Sequence, residues 1–235
     1  MDDSKRAIPI QGEKPGVETV EHRLELKGAI IGMLMGDAGL SKDRKNSHLF
    51  IGHSKKYEAY ALWKKEILEQ VTSVSVWYGE STAQKDGKLH QVMRIWTKSH
   101  PFYTGLRDRM YFENRKTFDL HCLLRLTDLG LLLWFLDDGT RYWEENGNTP
   151  SILFCTDRYN YIEHLSLQKY FHDRWNLIGK MNRHGKHWRI RFANSEAQKL
   201  DEIFSPYLSQ VPDCMKYKLC APNENPQGKI QSISN

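Results

Sequence analysis

Two segments of this 235-residue chain carry the same device. They are Ile30-Ile31-Gly32-Met33-Leu34-Met35-Gly36-Asp37-Ala38 and Leu131-Leu132-Leu133-Trp134-Phe135-Leu136-Asp137-Asp138-Gly139. Each is an apolar stretch that delivers a carboxylate at its C-terminal end and is followed at once by a small or flexible residue. The terminal acids, Asp37 and Asp138, lie 101 residues apart (138 − 37). An apolar run without a polar face predicts a helix buried on all sides. One such helix would belong to any core. Two predict a pair packed side by side, with Gly32 and Gly36 on one face to let a partner backbone come close. Their acids then meet, and a buried carboxylate is costly unless it is paired or binds metal.

The elements around the two segments follow one plan twice. A helix over 21–37 leads into strand-like pieces over 39–53, around Asp43-Arg44-Lys45-Asn46. Helical spacing returns from Lys55 to Val71, where Tyr57, Tyr60, Ala61, Ile67, Leu68 and Val71 share a face. Strands Val74–Gly79 and Leu89–Lys98 flank Asp86-Gly87, a favoured hairpin turn because both residues tolerate positive φ. In the second half a helix over Leu131–Asp138 leads into strands Thr140–Trp143 and Ser151–Cys155 around Asn146-Gly147. Tyr161–Trp175 reads as a helix, and Leu177–Asn182 and His187–Phe192 as a hairpin around His184-Gly185. Ser195, with Gln198 three residues on as a capping-box partner, opens a last helix. Its apolar face is Ala197, Leu200, Ile203, Phe204, Tyr207 and Leu208. The expected layout is a flexible arm over 1–20, a first half over 21–99, a connecting segment over 100–126 with a short helix Tyr103–Phe112, a second half over 127–222 and a flexible tail over 223–235.

Composition narrows the partner. A net charge of +5 favours a polyanion, and from Lys180 to Arg191 there are five cationic side chains and no acid. The four cysteines form no C-x-x-C pair, so they read as reduced thiols of an intracellular protein rather than a zinc knuckle. The ten histidines show no H-E-x-x-H spacing, which argues against a zinc hydrolase. No apolar run reaches membrane-spanning length, and the N-terminus lacks a signal-peptide pattern. The expected setting is bacterial or phage cytoplasm, or an organelle.

The two apolar-acidic segments resemble the LAGLIDADG motif of homing endonucleases, with Asp37 and Asp138 on its last Asp. Met35 and Ala38 replace the consensus Asp and Gly of the first motif, and Leu133 stands where the second often has Gly. Two motifs in one chain resemble the monomeric, pseudo-symmetric type, and the likeness covers roughly residues 21–220. It implies an α+β fold of two αββαββα halves with saddle-shaped antiparallel sheets. It also implies site-specific cleavage of double-stranded DNA at a long asymmetric target, with Mg²⁺ as cofactor and Mn²⁺ as substitute. Asp37 and Asp138 would hold the metal, a hard cation that takes oxygen ligands. Lys116 and Lys218 would supply the nearby cations, with Lys216 the rival to Lys218. Asp137 and Asp138 point about 100° apart on a helix, so only one faces the partner helix. The motif register chooses Asp138. Asp137 reads as a local cap whose backbone carbonyl, like that of Gly36, is a further candidate metal ligand.

Sequence readout falls to the strands, since a two-stranded ribbon fits the major groove. Alternation puts Trp188, Ile190 and Phe192 against the helices and His187, Arg189 and Arg191 outward. In the earlier hairpin Leu89, Met93 and Ile95 face inward, and His90, Arg94, Trp96 and Lys98 outward. The candidate DNA-binding residues are Arg44, Lys45 and Arg141 in the hairpins after the motifs, Lys85, Lys88 and Arg94, and Arg183, Lys186, His187, Arg189 and Arg191. Two rival functions share the expected fold. One is an intron RNA-splicing maturase, with host intron RNA as partner, and the other a DNA-binding protein without catalysis. An acid at the end of both motifs favours cleavage.

Overall fold

The computed structural model describes residues 19–42, 45–82, 87–117, 119–143, 150–193 and 195–219. Helix α1 (Val20–Met35) is capped by the Thr19 side chain, which accepts from the His22 N–H. It stops two residues short of the expected Asp37, because Gly36 leaves the helical region at φ −90° and ψ −133°. Helix α5 (Asp128–Asp138), capped by Thr127, runs on to its motif acid and keeps both Asp137 and Asp138 in its last turn. From Ala29 to Met35 and from Leu129 to Leu136 every residue is buried. Each such Leu or Ile side chain contributes about 1.5–3 kcal/mol through area removed from water.

Each helix feeds a four-stranded antiparallel sheet. The first comprises β1 (Gly39–Lys42), β2 (Ser47–Ser54), β3 (Val74–Thr82) and β4 (Leu89–Thr97), in the order β1-β2-β4-β3. The second comprises β7 (Gly139–Trp143), β8 (Pro150–Phe154), β9 (Lys180–His184) and β10 (His187–Ala193), in the matching order β7-β8-β10-β9. Behind the first sheet lies α2 (Glu58–Glu69), preceded by a 3₁₀ turn over Lys55–Tyr57. Behind the second lie α6 (Tyr161–Trp175) and α7 (Ser195–Phe204). The connecting segment forms α3 (Pro101–Met110), the short strands β5 (Tyr111–Phe112) and β6 (Arg115–Lys116), and α4 (Leu120–Leu123). A final short helix, α8 (Asp213–Lys216), follows a 3₁₀ turn over Ser205–Tyr207. This is the expected α+β architecture with one plan used twice.

Several local expectations shift. The capping box sits at Asn160 and Glu163 on α6, while Ser195 is already the first residue of α7. The tight turns place Gly87 and Gly185 at φ +67° and +58°, values a side chain rarely adopts. Leu89, the first residue of β4, has inward parity but is 62% exposed. The turn at Asn146-Gly147 and Asp86 lies outside the described residues, as do most of the expected arm and tail. Cys122, Cys155 and Cys214 are free thiols. Among the described residues no helix is long and apolar enough to cross a membrane.

The core is continuous through the α1–α5 pair. These helices touch backbone to backbone. A Cβ on Gly32 would overlap the Gly130 carbonyl, and one on Gly130 would overlap the Gly28 carbonyl. Gly32→Ala and Gly130→Ala are therefore expected to destabilise the fold by about 1–3 kcal/mol or more through overpacking. Gly52→Ala, where nothing lies within 4 Å, is the control and should change little. Urea unfolding of the three variants checks this.

Candidate active site

The site forms where α1 and α5 end together. Gly36 directly faces Asp137, and a Cβ added to Gly36 would come within 2.5 Å of the Asp137 Cβ and Oδ2. Asp137 is not a local cap. Its side chain crosses to the first half, where Oδ2 accepts the Asp37 backbone N–H at 3.1 Å. Its Oδ1 accepts the Tyr60 hydroxyl at 2.8 Å and forms an ion pair with the Lys64 ammonium. The side chains of Lys64 and Asp137 are both 0% exposed. Lys64 Nζ also lies 3.2 Å from His53 Nε2 and 4.3 Å from the Tyr60 ring centre. Burial first, and then the neighbouring Lys64, push the His53 pKa down to about 4. The ring is therefore neutral near pH 7, and since an ammonium only donates, Nε2 accepts.

Three carboxylates share this corner. Burial raises the pKa of Asp37, and the adjacent Asp137 raises it further. Asp37 itself keeps exposed surface at the open end of α1, so the shift reflects the dense protein around its carboxyl group. Burial pushes Asp138 up to about 6, although its ion pair with Arg158 at 3.2 Å pulls the other way. Mutual repulsion of this kind is relieved by a cation. Asp37, His53 and Asp137 also offer ligand atoms within 4.8 Å of one another, although Lys64 already engages two of the three.

Two lysines occupy matching places. Lys116, on β6, donates to the carbonyls of Leu34 at 2.9 Å, Gly36 at 3.2 Å and Ala38 at 2.5 Å. Lys218, after α8, donates to Leu136 at 2.6 Å and Asp137 at 3.2 Å. Each reaches a motif carbonyl 82 residues earlier in the chain. The C-terminal carbonyls of a helix lack internal partners and carry the negative end of its dipole, so an ammonium fits there. Burial lowers both lysine pKa values, that of Lys116 to about 8. The carbonyls of Gly36 and Asp137 thus already accept lysine protons, and each keeps a second lone pair.

The sequence profile of the LAGLIDADG DNA endonuclease family matches residues 27–200, most of the chain. The chain belongs to this family. RecA protein of Mycobacterium gastri is 26% identical over 208 residues, which cover 81% of this chain and 46% of that protein. The chain spans about half the length of the mycobacterial relatives it matches. A probable intron-encoded DNA endonuclease of Mycosarcoma maydis is 26% identical over 55% of this chain and 95% of its own length. The fold is similar to that of the homing endonuclease I-WcaI, solved on its DNA recognition sequence, with a TM-score of 0.74. That match has 20% identity and covers 84% of this chain and 87% of the other.

The strand registers sort the candidate DNA-binding residues of this LAGLIDADG chain. Arg141 stands on the helix side of the second sheet, opposite Ile152. Its side chain is 2% exposed, paired with Asp201 of α7, and its Nε donates to the Lys218 carbonyl at 3.1 Å. It supports the Lys218 backbone and does not face outward, because strand parity turns it toward α7. Arg183 is opposite Trp188, so it too shares the face of Trp188 and Ile190 rather than that of Arg191. Arg189 faces outward but is held by both Asp157 carboxylate oxygens at 2.7 and 2.6 Å. Arg191 is exposed on the outer face and donates to Ser151 Oγ at 3.2 Å. His187 is on that face opposite His184, and Lys186 is exposed in the turn. Arg94 is outward, 5.3 Å from the Trp77 ring centre, and Lys45 and Lys88 are exposed. Arg44 and Lys85 lie outside the described residues.

Sequence reasoning missed Tyr60, Lys64, His53 and Arg158. A signal for Lys64 existed, since it stands four residues from Tyr60 and three from Ile67 on the apolar face of α2. A charge on a buried helical face needs a buried partner. Lys64→Met is expected to destabilise the protein by about 3–5 kcal/mol, because it leaves the Asp137 charge unpaired. Adding Asp137→Asn should restore part of the loss. A double-mutant cycle in urea would contradict the pairing if the two effects simply added.

Proposed function

We propose that this chain is a site-specific double-strand DNA endonuclease that hydrolyses phosphodiester bonds with a divalent metal, Mg²⁺ or Mn²⁺. The observation that carries the reading is the meeting of acids from both halves at the joined ends of α1 and α5: the Asp37 backbone N–H donates to the Asp137 carboxylate, and the pKa of the neighbouring Asp138 is raised by burial and, in lesser part, by the Asp37 charge. Each motif end carries its own lysine, Lys116 or Lys218. The donor set fits a hard cation, because the carboxylates and the Gly36 and Asp137 carbonyls offer oxygen. The nitrogen donor nearby, His53, is engaged by Lys64. Asp37 and Asp138 would hold the metal, which when bound polarises the phosphate and lowers the pKa of an attacking water.

The rest of the chemistry belongs to the protein. Lys116 and Lys218 place positive charge beside a phosphate that gains negative charge during cleavage. Lys116, its pKa lowered to about 8, releases and regains a proton at Nζ near neutral pH more readily than an ordinary lysine. Arg141 holds the Lys218 carbonyl and Arg158 holds the Asp138 carboxylate. Asp137, clamped by Lys64 and Tyr60, fixes the Asp37 backbone. Two unequal halves in one chain suit a monomer on a long, non-palindromic duplex, with the outer sheet faces along the groove and an intracellular setting.

A second reading is RNA maturation. The cytochrome b mRNA maturase bI2 of Saccharomyces cerevisiae is 26% identical over 148 residues, 57% of this chain. Its test is stimulation of splicing of an intron transcript by the purified protein.

For cleavage, Asp37→Asn or Asp138→Asn should abolish double-strand cutting while largely preserving site binding, and chelator should stop turnover. Lys218→Met should slow single-turnover cleavage more than it weakens binding. Affinity should fall with salt, with a slope of about −0.9 in log K against log salt per phosphate neutralised. A variant lacking either acid that cuts both strands at the normal rate would refute the assignment.

A further inference from the structure

The outer faces of the two sheets, which the function proposed above lays along DNA, differ in chemistry. In the first sheet Phe50 pairs across to Trp96, and Arg94 sits between Gly52 and Trp77. All stand on the face away from the buried Ile51, Met93 and Ile95. Phe50, Trp77 and Trp96 are 46%, 41% and 37% exposed. Two of these rings lean over glycines rather than standing up from the sheet. A Cβ on Gly39 would run into the tip of the Phe50 ring, and one on Gly79 into the benzo end of the Trp77 indole. Arg94 lies 5.3 Å from the Trp77 ring centre. Among the described residues this face carries no carboxylate, and Arg94 and Lys98 give it positive charge. In the second sheet the same face pairs Lys180 with Arg191, Asn182 with Arg189 and His184 with His187. Among the described residues its one exposed large ring is Tyr142.

Three exposed aromatics on one sheet face are not retained for the core, which lies on the other side. A cationic, acid-free rim fits a phosphate backbone. Within a duplex major groove the one apolar group on offer is the C5-methyl of thymine, and the polar pattern elsewhere calls for hydrogen-bonding side chains. We propose that the first sheet reads its half-site through thymine methyl groups packed against Phe50, Trp77 and Trp96. The half-site it covers is thymine-rich, while the half-site under the second sheet is read by hydrogen bonding. The inference rests on the DNA-binding reading above.

Selection of binding sites from a randomised duplex library with the full chain separates the two claims. If no duplex is enriched, the proposed function fails. With an enriched duplex in hand, deoxyuridine replaces thymine one half-site at a time, which keeps every base-pair hydrogen bond and removes only the methyl groups. Under non-cleaving conditions, affinity should drop about fourfold per contacted methyl in one half-site. That penalty should shrink in Trp77→Ala and in Phe50→Ala and persist undiminished in Arg191→Ala. An enriched site that is indifferent to deoxyuridine in both halves overturns the inference. So does a penalty that survives both aromatic substitutions undiminished, and neither result touches the nuclease reading.

Discussion

Everything in this molecule is arranged around the contact of α1 with α5. Gly28, Gly32 and Gly130 remove the side chains that would hold the two helices apart, and the backbones meet. Close packing of this kind works because the touching stretches are buried, from Ala29 to Met35 in α1 and from Leu129 to Leu136 in α5. The C-terminal ends then have one place to go. They arrive together at the surface with a carboxylate on each, in a position that neither half could build alone.

The two ends are not equivalent. In the first motif Gly36 stops the helix and leaves room. In the second Asp137 fills that room and reaches into the first half, where Lys64, Tyr60 and the Asp37 N–H receive it. Around Asp138 the partner is instead Arg158. The buried Lys64–Asp137 pair ties α2 to α5, so the setting of Asp37 depends on residues from both halves. Lys116 and Lys218 restore the symmetry one layer out, each on the carbonyls of its own motif helix. The same asymmetry extends to the outer faces, aromatic on the first sheet and basic on the second.

Much of the fold was legible in the chain because it rests on short-range rules. The all-apolar runs marked buried helices, the period-two alternation of Met93 and Ile95 or Ile190 and Phe192 marked inner strand faces, and Gly87 and Gly185 marked turns. Arg141 and Arg183 stand among the candidate DNA-binding residues because they are basic and near a motif or a turn, and local sequence does not give their face; the registers opposite Ile152 and Trp188 turn both to the helix side. Arg189 was given the right face, but its engagement with Asp157 joins residues 32 apart that no local pattern links.

By itself the sequence determined two motif helices, an acid at or just past the end of each, a twofold plan of elements and a basic character. These follow from side-chain hydrophobicity, spacing and backbone freedom, all of which act over a few residues. Only the tertiary structure decided which acid does what. Asp137 and Asp138 are neighbours in sequence with identical side chains, and their different partners come from helix rotation and from what packing places opposite. Lys64 answers one and Arg158 the other, since a buried charge takes its role from the counter-charge that the fold brings within reach.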